Sequence, residues 1–134
     1  MSDVRRWGSG GPWEDAVGYS RVVRAGDRWL TAGFTATVDG VVQSPGDAHA
    51  QAVAAFGIAL ESLRRAGASV NDVVRTRMYV VDTADADAVG RAHSELFGDV
   101  RPASTLVVVA GLVDPAMRVE VEVEAYRSSA AADG

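Results

Sequence analysis

SPGDAHAQAVAAFGIALESLRRAG, residues 44–67, and VVRTRMYVV, residues 73–81, stand nearly back to back and carry two different periodicities. In the first, Val53, Phe56, Leu60 and Leu63 recur every three or four residues, the spacing of one apolar stripe on a helix. Ser44 offers a hydroxyl as N-cap, and Pro45 is tolerated in a first turn. Arg64 and Arg65 suit the carbonyl end, and Gly67 suits the residue after it. In the second segment, branched residues alternate with polar ones, which predicts a strand over 73–81. Arg75 and Arg77 then share one face.

Upstream, Arg21–Ala25 and Arg28–Ala32 flank Gly26-Asp27, and Thr35–Val38 and Val41–Gln43 flank Asp39-Gly40. Both pairs read as hairpins closed by two-residue turns. Downstream, Asp82 or Thr83 caps a second helix running to Phe97, with Ala86, Val89, Ala92, His93, Leu96 and Phe97 facing inward and Gly98 ending it. Thr105–Val109 is apolar on both faces and predicts a strand covered on both sides. Arg118–Tyr126 closes the chain, valines on one face and Glu120, Glu122 and Glu124 on the other. Residues 1–11 read as a loose lead-in and 128–134 as a frayed tail.

The order ββββαβαββ is that of an α+β fold, a mostly antiparallel sheet with two helices on one face. One domain is expected over residues 1–134, its core near 17–126. Nothing in the chain remains to cover the second sheet face, so copies of the chain are expected to bury it against one another.

Composition removes whole classes of chemistry. The 134 residues include no Cys and two His, so thiolate chemistry and histidine-rich metal sites are not expected. All 13 basic residues are Arg, which removes lysine Schiff bases and the P-loop lysine. No cofactor or metal is expected. The net charge of −5 argues against nucleic acid, and no apolar run is long enough for a membrane span or a secretory leader. A cytoplasmic protein is expected.

Six short pieces occur in one order: Gly18-Tyr19-Ser20, Thr31-Ala32-Gly33, Ala68-Ser69-Val70-Asn71-Asp72-Val73-Val74, Arg77-Met78-Tyr79-Val80-Val81-Asp82, Arg101-Pro102-Ala103-Ser104-Thr105 and Val119-Glu120-Val121-Glu122. In that order, over roughly residues 17–126, the chain resembles the RidA/YjgF enamine/imine deaminase family. The resemblance implies a six-stranded sheet in a chorismate-mutase-like fold. It also implies a homotrimer with a small-molecule cleft at each subunit interface. Tyr19 and Gly33 match pocket residues of that family, and Glu120 matches the glutamate that positions the attacking water. Ala32 stands where a serine is usual, and Ser104 stands where an arginine grips the substrate carboxylate.

Serine cannot hold a carboxylate by charge, so the resemblance implies a pocket of Tyr19, Gly33, Ser104, Thr105 and Glu120 that suits a neutral or weakly polar ligand. The alternatives are an active imine hydrolase, with Glu120 orienting water and Arg101 or a neighbouring subunit supplying the cation, and a trimer that serves assembly alone. Arg77 is a second candidate cation, with pairing to Glu120, Glu122 or Glu124 as its structural reading. His93 reads as a hydrogen-bonded core or interface residue and His49 as exposed. Asp82, Asp85 and Asp87 form no calcium loop, and Gly8–Gly11 lacks the strand and helix that a phosphate loop needs.

Overall fold

The computed structural model describes residues 3–129. A six-stranded sheet runs in the order β1-β2-β3-β8-β6-β7, made of β1 (Val4–Trp7), β2 (Val22–Ala25), β3 (Arg28–Thr31), β8 (Val119–Tyr126), β6 (Val73–Val80) and β7 (Ala103–Val108). Every neighbouring pair is antiparallel except β6 and β7, which the helix α3 (Ala86–Phe97) joins as a crossover. The long helix α2 (Ala48–Arg65) packs beside α3 on the same sheet face. A small hairpin, β4 (Thr37–Val38) with β5 (Val41–Val42), stands apart around the expected Asp39-Gly40 turn. No helix among the described residues is long and apolar enough to cross a membrane.

Three expectations are corrected. The lead-in is structured: β1 pairs with β2 along Val4–Trp7, and a short helix α1 (Pro12–Val17) follows. The glycines between them hid a strand with only two apolar residues. Ser44 does not cap α2, because it and Gly46 both adopt positive φ in a turn, and the Asp47 side chain accepts from the Ala50 N–H instead. The strand expected to be covered on both sides is the sheet's edge, and Val107 and Val108 are exposed in the single chain.

Alanines set the depth of the core. Ala52, Ala55 and Ala59 are fully buried and let α2 lie close over β8, while Phe56 fills the space toward Phe97 of α3 and Leu63 is fully buried a further two turns along. Val53 and Leu60 of the expected stripe are only partly buried, because the buried face is rotated toward these alanines. A register shift at Val74 flips the parity of β6. Val73 faces the helices at one end, and Thr76, Met78 and Val80 do so beyond the shift. Arg75, Arg77 and Tyr79 therefore face away from the helices, alongside Glu120, Glu122 and Glu124 of β8.

A buried amide fixes how β8 begins. Gln51 is fully buried on α2; its Nε2 donates to the Ala116 carbonyl at 2.9 Å and its Oε1 accepts from the Arg118 N–H at 2.8 Å. Arg118 in turn bonds Asp85 at the start of α3. The loop into β8 is thus clamped by both helices, and Glu120 follows it directly.

Candidate functional site

The three glutamates of the open face do not share one environment. Glu124 is held by Arg28 at 3.0 Å and by Arg77 at 3.2 Å, the structural reading of Arg77. Glu122 accepts a short hydrogen bond from the Tyr79 hydroxyl. Glu120, half-buried, has no side-chain hydrogen bond or ion pair among the described residues. Burial, and then the nearby Glu122, push its carboxyl above the usual glutamate range, while Arg21 pulls the other way.

A second chain segment closes over this carboxylate. Phe34 exchanges two backbone hydrogen bonds with Val121, at 2.8 and 2.9 Å, and so lays the Thr31–Thr35 loop against β8. Gly33 then faces Glu120 with no side chain between them. A Cβ there would overlap the carboxylate and lie 2.8 Å from its carbon. Only glycine leaves the acid its place.

Arg21, at the entrance to β2, is the cation beside this group. Its Nε donates to the buried Glu14 carboxylate at 3.3 Å, and its Nη1 donates to the Gly33 carbonyl at 3.2 Å. Its guanidinium also stacks over Tyr19 and Phe34, at 5.6 and 5.1 Å from the ring centres. Glu14 further accepts from Ser9 and from the Gly11 N–H, which hold it well ionised. Arg21 is thus committed before any ligand arrives. Neither Arg21 nor Glu14 stood out in the sequence; the available signal was Glu14 three residues after Gly11, with Pro12 between them.

Between these segments lies a cleft of about 320 Å³, lined by Tyr19, Gly33, Thr35 and Glu120, with Trp13, Val17, Val113 and Met117 as apolar lining. Trp13, Val17 and Val113 are exposed in the single chain. Among the expected pocket residues, Tyr19, Gly33 and Glu120 come together here.

The others lie elsewhere in the same chain. Ser104 pairs with Thr76 on β6, whereas Glu120 pairs with Tyr79, three residues on, or about 10 Å along the strand. Ser104 also points to the helix side. It accepts from the Thr76 hydroxyl at 2.8 Å, and Thr76 meets His93 Nε2 at 2.7 Å. His93, partly buried and edge-on to Phe56, is hydrogen-bonded as expected, and burial lowers its pKa. Thr105 is exposed on the open face opposite Arg77. Arg101 adopts positive φ and lines a separate groove of about 370 Å³ with His93, Ser94 and Pro102. His49, expected exposed, is partly buried and reaches Glu95 on α3 at 2.9 Å.

A carboxyl group whose folded pKa lies above its unfolded value binds more protons when folded, so it erodes stability as pH rises through that window. Glu120→Gln is therefore expected to raise the melting temperature at pH 7. The gain should vanish as the pH falls toward the ordinary glutamate value. Calorimetric melts across pH 4–8 check this, and a variant no more stable at pH 7 contradicts it.

This sheet, with two helices on one side, is a fold shared with known proteins. The sequence matches the family described as Endoribonuclease L-PSP over residues 13–127, and the chain belongs to it. An uncharacterized protein of Streptomyces coelicolor is 48% identical over 126 residues, 94% of each chain. A Mycobacterium tuberculosis member of the YjgF/YER057c/UK114 family is 40% identical, with a TM-score of 0.83, covering 92% of this chain and 99% of that one. A Pseudomonas aeruginosa protein of unknown function is 34% identical, with a TM-score of 0.80 over 94% of both chains. The RidA/YjgF resemblance read from the six motifs is the family these comparisons give.

Proposed function

We propose that the chain assembles as a homotrimer. Its intersubunit clefts bind a small molecule and do not deaminate 2-imino acids efficiently. Tyr19, Gly33, Thr35 and Glu120 of one copy form the cleft, and the Ser104–Thr105 region of the next completes it. The observation that carries this reading is the pairing of charges. Among the described residues, the acid in the cleft, Glu120, has no hydrogen-bond or ion-pair partner, and the arginine there, Arg21, is already bound to Glu14 and to the Gly33 carbonyl.

A substrate carboxylate entering this cleft meets no free guanidinium. Ser104 supplies a neutral hydroxyl that already accepts from Thr76. The missing charge-assisted contact is worth about 1.5–3 kcal/mol. Assembly is supported by the apolar side chains that a lone chain leaves exposed, Val107 and Val108 on the edge strand and Trp13, Val17 and Val113 around the cleft. RNA cleavage, the activity in the family's description, is not favoured. A net charge of −5 and a row of three glutamates repel a phosphate backbone.

The raised pKa of Glu120 favours a second reading, hydrolysis at a C=N bond. There the carboxylate accepts a proton from water as the water oxygen bonds to the imine carbon, and the nitrogen leaves as ammonia after protonation. One assay decides. 2-Iminobutanoate is generated in situ by an amino-acid oxidase and its decay followed with and without the protein. The expected result is decay at the buffer rate, with a gain on Ser104→Arg. Clear acceleration by the wild type, abolished in Glu120→Ala, overturns the binding reading in favour of the hydrolase.

A further inference from the structure

The charges around the cleft say more than that an anion is poorly held. Among the described residues Glu120 has no hydrogen-bond or ion-pair partner, and Glu122 is its neighbour two residues along the same strand face. Arg21 is the one cation lining the cleft, and its charge is answered by Glu14 at 3.3 Å. Arg28, Arg75 and Arg77 of the open face gather around Glu124 at the far end of β8. Two carboxylates against one already neutralised guanidinium leave this end of the sheet negative. The walls suit an organic ligand as well: Trp13 adds aromatic surface, and Met117 adds a polarisable sulfur.

We infer that this cleft selects a small organic cation, an ammonium or iminium compound without a carboxylate, and that Glu120 is its counter-ion. This rests on the small-molecule reading above and narrows it from neutral ligands to positively charged ones. The volume of about 320 Å³ sits at the small end of ligand pockets, so the cation is a compact one. A half-buried carboxylate with no protein partner gives a cation a charge-assisted hydrogen bond without first breaking an internal one. Gly33 lies directly against the acid on one side, so the ligand's charged head reaches Glu120 from the cleft.

Proton linkage gives the inference a signature. The titratable and charged groups facing Glu120 are Glu122 on β8, Tyr79 on β6, which is hydrogen-bonded to Glu122, and Arg21 and Tyr19 before β2. A cation binds the ionised carboxylate, so its affinity rises with pH through the elevated pKa of Glu120 and levels off above it. A neutral ligand that donates a hydrogen bond shows a shallower dependence, and an anion shows the reverse.

The test is calorimetric titration of the assembled wild-type protein with a matched set, n-butylammonium, n-butanol and butyrate, at several pH values. Butylammonium is expected to bind at least about tenfold more tightly than either, the scale of one charge-assisted hydrogen bond. Glu120→Gln should bring the ammonium and alcohol affinities close together. Where that variant fails to assemble, the wild-type pH profile decides: butylammonium affinity flat or falling with rising pH overturns the inference. Butanol or butyrate binding as tightly as butylammonium also overturns it, while leaving the small-molecule reading in place. No saturable heat from any of the three probes overturns both.

Discussion

Trp29→Ala is expected to cost about 3–5 kcal/mol, the range for emptying a large aromatic site in a packed core. Trp29 is fully buried on β3 and is the largest such side chain in the described protein. Its Nε1 donates to the Ala66 carbonyl at 2.8 Å, which ties the end of α2 to the sheet. Arg24 and Arg127 stack on the indole at 4.6 and 5.4 Å from the ring centre, and Arg127 also holds Asp72 and the Gly67 carbonyl. The substitution thus removes a core filler, a hydrogen bond and the platform for two arginines at once. Domains of this size are stable by only about 5–15 kcal/mol, so the loss should show as a large fall in the urea midpoint. Trp29→Phe keeps the ring but orphans the Ala66 carbonyl, and should cost less. An alanine variant within about 1 kcal/mol of wild type would mean that the core does not rest on this residue.

Gly33→Ala is expected to act on the site rather than on the fold. Gly33 is not among the positive-φ glycines, so its backbone accepts alanine. The new methyl, however, would overlap the Glu120 carboxylate and force it to rotate away. Displacing one reactive or binding group by about 1 Å can cost up to about a hundredfold. The expected outcome is a small change in melting temperature and a loss of at least about tenfold in butylammonium affinity. It should be accompanied by a shifted Glu120 titration, read by carbon NMR of the carboxyl. Unchanged affinity with an unchanged Glu120 titration contradicts the close approach of Gly33 and Glu120.

How much of this was legible in the sequence depended on the range of the forces involved. α2, β6 and β8 follow from local periodicity, and the Gly26-Asp27 and Asp39-Gly40 hairpins from local turn chemistry; each lies within two residues of its expected bounds, except the start of α2. That start moved from Ser44 to Asp47 because Ser44 entered a left-handed turn, which helix pattern does not reveal. β1 escaped notice because an edge strand needs few apolar residues when Trp7 alone packs against the core. The apolar character of β7 was legible, but its place at the sheet's edge was set by pairing partners far away in sequence.

The site divided in the same way. Tyr19, Gly33 and Glu120 were identified by motif and come together in one cleft. Arg21 was missed because its role comes from Glu14 and the Gly33 carbonyl, contacts that no spacing rule connects. The direction of Ser104 depends on the parallel register with Thr76 and on the parity flip at Val74, neither of which a single strand reveals.

That register is also why the proposed pairing of Ser104 with Glu120 in one cleft calls for a second copy. Ser104 lies near the start of β7 and Glu120 near the start of β8, on opposite faces and at opposite ends of one sheet. Sedimentation equilibrium at micromolar concentration tests this most directly. The expected species has three times the 14.0 kDa mass of the chain. A folded chain that sediments as a single subunit, with butylammonium binding undiminished, would contradict a cleft built between copies.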